Sequence, residues 1–216
     1  MRQEAVHILK RKTEGPMIQE KVTLEQLKAA HKAFAEHEPR DLFYKAATEL
    51  VRLVFEGKTK LTLAEALAVL LQTWNRAFYR YTPFDSRHFD EIEGLLNRHR
   101  QVIEGFRLRT IESFSTEDKD PVSKVFSEFE EILGPVGAAK SLHLLAPEFF
   151  PLWDRAIAEA CRCPLKKRGQ NAPSYCRFME MMQEQVRNLE NGSGIDQNPL
   201  KILDEYYYCK FTKKWV

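Results

Sequence analysis

The stretch LTLAEALAVLLQTWNRAFYRY, residues 61–81, limits the fold more than any other. From Leu63 to Leu71 it is apolar on nearly every side, with Glu65 the exception. A helix of that composition has no solvent face and must be wrapped by other elements. Thr62 caps its start, and the spacing predicts a helix running on to Pro83. The wrapping elements read as helices too. No alternating strand pattern of any length occurs, and nine glycines and ten prolines in 216 residues are too few for the turns of a sandwich or barrel. An all-α fold is expected.

The remaining helices follow from periodicity and punctuation. Thr23 and Gln26 make a capping box, opening a helix with Leu24, Leu27, Ala30 and Phe34 on one face and Pro39 as its stop. A helix is expected over about 40–56, ending at Gly57, and another from Asp85 or Ser86 to about 103. Residues 105–114 read as a further helix, and STEDKDP (115–121) as a linker. Helices are then expected over 122–133 and 138–145 around the turn Gly134-Pro135-Val136-Gly137, and over 154–161, 173–190 and 199–209. CPLKKRGQNAP reads as a basic loop and NGSGIDQNP as a second linker. The resulting division is an arm over 1–22 and a single two-lobed helical domain over 23–216. One lobe spans about 23–114 with the C-terminal helices, and the other spans 122–190.

Hydrophobic residues make up 44% of the chain, enough for a full core. The net charge of +2 conceals an asymmetry: residues 155–216 hold 11 Lys/Arg against 7 Asp/Glu, a balance compatible with a polyanionic partner. The first residues, MRQEAVHILKRK, lack the apolar core of a secretion signal, and no apolar run is long enough to span a bilayer. A cytoplasmic, nucleoid-associated monomer with no membrane contact is expected. The four cysteines, Cys161, Cys163, Cys176 and Cys209, match neither iron–sulfur nor zinc spacing, so neither metal nor cofactor is expected.

The chemistry concentrates in GPVGAAKSLHLLAPEFFPLWDRAI, residues 134–157. A Gly-x-x-Gly turn that opens a helix can present backbone N–H groups and the positive helix end to a phosphate. It can equally be an ordinary helix corner. Lys140 and Asp154 flank an apolar helix and a proline-framed segment. Asp154 reads as a helix N-cap, as a site carboxylate, or as both. Lys140 reads as a surface lysine or as a desolvated nucleophile. His143 lies one turn from Lys140 and reads as a core or rim histidine. Upstream, Trp74, Phe78 and Tyr81 interleave with Asn75, Arg76 and Arg80, a mixture suited to stacking on bases and pairing with phosphates. Lys166, Lys167 and Arg168 offer phosphate contacts in the basic loop.

These residues resemble the helix–hairpin–helix DNA glycosylase superfamily. Its loose pattern is Leu-Pro-Gly-Val-Gly-x-Lys, an apolar helix, then an apolar-Pro-x-Asp segment. The matching residues here are Leu133, Val136, Gly137, Lys140, Pro151 and Asp154, and only residues 126–157 carry specific motif similarity. Lys140 stands three residues after Gly137, one more than the family spacing, or about 100° further around a helix. The resemblance implies excision of a modified base from double-stranded DNA, with Asp154 and Lys140 catalytic and Lys140 the source of any lyase activity. It implies DNA contacts from Gly134, Val136, Gly137 and Ala139 at the turn. Further contacts would come from Gln72, Asn75, Arg76 and Arg80 upstream and from Lys166, Lys167 and Arg168 in the loop. Trp74, His143 and Trp153 would line the base pocket. Two other readings stay open: a DNA-binding module without catalysis, and a helical interaction protein in which 134–157 is a packed corner.

Overall fold

A computed structural model describes residues 21–38, 41–189 and 198–216. Pro39, most of the expected arm and nearly all of the NGSGIDQNP linker lie outside the described residues. Among the described residues the fold is all helical, with no strand. The α-helices are α1 (Leu24–His37), α2 (Leu42–Phe55), α3 (Leu63–Trp74), α4 (Arg76–Tyr79), α5 (Ser86–Arg107), α6 (Lys119–Leu145), α7 (Arg155–Ala160), α8 (Ala172–Leu189) and α9 (Pro199–Tyr207). No helix among them is long and apolar enough to cross a membrane.

Capping boxes open α1 and α3. Thr23 accepts from the Gln26 backbone while Gln26 reaches back to the Thr23 N–H, and Thr62 and Glu65 repeat the arrangement on α3. Each cap stabilises its helix by about 1 kcal/mol. α3 is the buried element its composition demands: Ala64, Ala66, Leu67, Leu70 and Leu71 have essentially no exposed surface. It packs on α2 and α5, α5 packs on α6, and α6 packs on α8. α9 returns from the far end of the sequence to pack against α1. A single contiguous core joins all of these layers. Its centre is aromatic: Phe106 stacks on Phe149 at 4.5 Å, and Phe126 stacks on Tyr175 at 4.3 Å with Trp153 beside it.

Several boundaries differ from the sequence expectation. α3 stops at Trp74 instead of continuing to Pro83, because Asn75 leaves helical geometry and spends its side chain elsewhere in the fold. α5 runs through Gly105 to Arg107; packing outweighs the ~1 kcal/mol that one glycine costs a helix. Residues 111–113 form only a short 3-10 turn. STEDKDP is not a linker. Ser115 caps a turn that leads directly into α6, and Asp118 is held by both arms of Arg109 at 2.6 and 2.8 Å. That bidentate pair holds the Asp118 carboxyl below its ordinary range.

The Gly-x-x-Gly turn is also smaller than expected. α6 is interrupted at one residue, Gly134, with φ 71° and ψ 167°, a conformation that favours glycine. Pro135 then starts the second half of α6, where its missing N–H costs nothing. Gly137 is therefore inside a helix and not the second glycine of an open turn.

Candidate functional site

α1, α6, α9, the end of α3 and the segment leading into α7 surround a cleft of about 470 Å³. That volume is in the range of small-molecule and base-sized pockets. Lys140 and Asp154 both line it, together with Trp74, Trp153, Arg76, Asp41, Lys201 and Asp204.

The extra residue before Lys140 does not turn it away. The helical register is set at Gly134, where the second half of α6 begins, and Ala138 and Ala139 fill the buried side of that half. Lys140 then projects across to α3, and its Nζ donates to the Trp74 carbonyl at 2.6 Å. That carbonyl belongs to the last turn of α3, whose final C=O groups have no partner within the helix. Burial lowers the affinity of Lys140 for its proton; Asp154 and Asp204 restore only part of it.

Asp154 caps α7: its Oδ1 accepts from the Ile157 N–H at 2.8 Å. Its Oδ2 accepts from the Thr212 hydroxyl at 3.0 Å. A carboxylate oxygen has two lone pairs, so both oxygens keep acceptor capacity. The preceding Phe149, Phe150 and Trp153 are fully buried and fix the segment that delivers Asp154. The Trp153 indole N–H has no hydrogen-bond partner among the described residues.

The opposite side of the cleft was not legible in the sequence. Asp41 precedes α2 with φ 38°, a left-handed conformation that aspartate tolerates better than most residues. Its carboxylate does not cap α2; it pairs with Lys201 Nζ at 3.2 Å. Lys201 also faces Glu205 at 3.5 Å and Asp204 at 3.8 Å, and its ammonium lies over the Phe34 and Tyr44 rings. Burial raises the Asp204 carboxyl to about 7, against the pull of Lys201 and with a push from Asp154. The only sequence signal was the spacing Lys201, Asp204, Glu205 on one helix, which ordinarily marks a solvated face.

Other expected site residues fall into three groups. Trp74 and Trp153 line the cleft, and Trp74 stacks on Tyr44 at 5.5 Å. Gln72, Arg76, Arg80, Lys166, Lys167 and Arg168 are exposed, and Arg168 lies over the Phe78 ring at 5.5 Å, which brings the basic loop beside α4. Val136 is half-buried beside the turn.

The third group is not accessible. Gly134 and Gly137 are buried, under Phe78 and Asn75 respectively, and Ala139 is buried as well. A β-carbon on Gly137 would stand 2.5 Å from Asn75 Nδ2, so this glycine admits a protein side chain and not a phosphate. Asn75 is itself buried, donating to the Leu133 carbonyl at 3.1 Å across the α6 break. His143 does not face the cleft. It is fully buried behind Tyr44: its Nδ1–H donates to the Phe150 carbonyl at 2.7 Å, leaving Nε2 to accept from the Tyr44 hydroxyl at 3.0 Å. Burial pushes its pKa down to about 4, so it is a neutral core residue.

Among the described residues no group of three His, Cys, Asp or Glu side chains comes together as a metal site. No protein-family model matches the chain, and neither a curated protein nor a solved structure matches it.

Proposed function

We propose that the cleft excises a modified base from double-stranded DNA and that Lys140 is the nucleophile. The observation that carries this reading is the meeting of a desolvated Lys140 and the Asp154 carboxylate in one base-sized cleft. A lysine on an open surface holds its proton firmly and has no lone pair to give; burial lowers the proton affinity of Lys140 and so favours release of that lone pair. Trp74 gives the cleft an aromatic wall for a flipped base, whose extraction from the stack the site must offset. Arg76, Arg80, Lys166, Lys167 and Arg168 provide phosphate contacts outside it.

In this scheme the Lys140 amine attacks C1′ of the nucleotide. The glycosidic bond breaks, its electron pair leaves with the base, and the base takes up a proton. Asp154 stabilises the positive charge that builds on the sugar. Opening of the sugar ring gives an iminium between Lys140 and C1′. Loss of a C2′ proton then expels the 3′ phosphate and cuts the strand.

The test is incubation with duplexes carrying different modified bases in the presence of borohydride, which reduces the iminium to a stable amine. Wild type is expected to form a covalent protein–DNA adduct, and Lys140→Gln to lose it by roughly a thousandfold or more. An adduct that persists in Lys140→Gln refutes the nucleophile assignment. Failure to release any base from any duplex refutes the excision reading.

A further inference from the structure

α9 does not end as an α-helix. It continues through a π-helical turn, Tyr208–Lys213, and closes with Lys214 in a left-handed conformation. π-helical turns are rare, and they shift every later side chain around the axis relative to an α-helix. Here the shift places Thr212 on Asp154 and brings Lys213 to the wall of the cleft. The end of the chain is tied down to keep it there. The Trp215 N–H donates to the Cys209 carbonyl at 2.8 Å, and the Trp215 ring stacks on His37 of α1 at 4.1 Å. The turn also packs on α7, the helix that Asp154 caps.

Asp154 is consequently held from two directions. The Ile157 N–H fixes Oδ1 from the backbone of its own helix, and among the described residues only Thr212 fixes Oδ2. A capped aspartate with one bonded oxygen still rotates about its terminal torsion; a second donor stops that rotation. We propose that Thr212 is a positioning residue, holding the Asp154 carboxylate in the orientation that faces the reacting sugar. The C-terminal turn is thus part of the site. The inference rests on reading the cleft as a base-excision site.

The test compares Thr212→Val and Thr212→Ser with wild type in single-turnover base release, using a duplex that wild type cuts. Thr212→Val is expected to slow release roughly tenfold, with the dissociation constant for the duplex unchanged, and Thr212→Ser to restore the rate. Equal rates for wild type and Thr212→Val overturn the proposal and leave the excision reading intact. Weaker duplex binding at an unchanged rate assigns Thr212 to binding and also overturns it. A wild type that releases no base defeats the excision reading, and the proposal with it. Separately, Thr212→Val and Asp154→Ala are combined in a urea-unfolding cycle. Their effects are expected to be non-additive, and additive effects overturn the contact itself.

Discussion

Lys140 and Lys201 both line the cleft, and the two lysines are opposite in kind. Lys201 is almost wholly buried, and burial by itself weakens its hold on its proton. Asp204, Asp41 and Glu205 together outweigh that cost and hold its proton more tightly than in an ordinary lysine. Lys140 is also desolvated, but its one hydrogen bond goes to a neutral carbonyl, and burial prevails over Asp154 and Asp204. The lesson is that depth does not decide what a lysine does. The number of carboxylates within reach decides it: three make a structural cation, and a backbone oxygen leaves a candidate nucleophile.

This contrast can be broken most directly at Lys201. Lys201→Met leaves Asp41, Asp204 and Glu205 crowded without their cation and is expected to destabilise the fold by ~3–5 kcal/mol in urea unfolding. Lys140→Met is expected to stay within about 1 kcal/mol of wild type, since it removes a single hydrogen bond. Similar losses from the two variants would erase the distinction.

An effect of similar size tests the electrostatics of the Lys201 side. The Asp204 value of about 7 lies above the ordinary 3.8, so the native state binds the extra proton. The stability this provides is complete below about pH 4 and is lost as pH rises through about 7. His143 has the opposite sign. Its value of about 4 lies below the ordinary 6.5, so its contribution is present above that pH and lost as pH falls through about 4. In wild type the two trends oppose each other over one window. Asp204→Asn is expected to leave the His143 trend unopposed, steepening the rise of stability between about pH 4 and pH 7 by on the order of 4 kcal/mol. Urea midpoints across that range measure it, and an unchanged slope would remove Asp204 from the account.

The smallest expected effect lies on the Lys140 side. Gly137→Ala sets a methyl 2.5 Å from Asn75 Nδ2 and 2.9 Å from Leu133 Cβ. It is expected to cost ~1.5 kcal/mol by forcing Asn75 from the Leu133 carbonyl. Thermal unfolding measures the loss. A neutral or stabilising result would mean that the turn is open enough to admit more than Asn75.

What the sequence disclosed depended on range. The Thr23–Gln26 capping box, the Thr62 cap of the buried α3 and the N-cap at Asp154 depend on residues within one turn, and all are where spacing placed them. Lys140 and Asp154 were legible as a pair because a short apolar helix and two prolines return the chain on itself. The turn was misread because Gly134 and Gly137 look alike in sequence. One has a positive φ, and the other has a neighbour 62 residues earlier in the chain pressed against it. Asp41, Lys201 and Asp204 share a site only because α9 packs back beside the start of the fold, which no local pattern encodes. Thr212 was hidden by the π-helical turn, since an α-helical register for residues 199–209 gives no reason to look beyond its end.

The bond between Lys140 and the Trp74 carbonyl gives the proposed nucleophile a second occupation. It is the clasp that closes the C-terminus of α3, one residue before Asn75 hooks onto the other half of α6. An amine that moves toward a substrate must release that carbonyl, and Trp74, the aromatic wall of the cleft, sits on the same residue. On the proposed reading, chemistry at Lys140 and the footing of Trp74 would be one mechanical event, the wall loosening as the lysine is engaged.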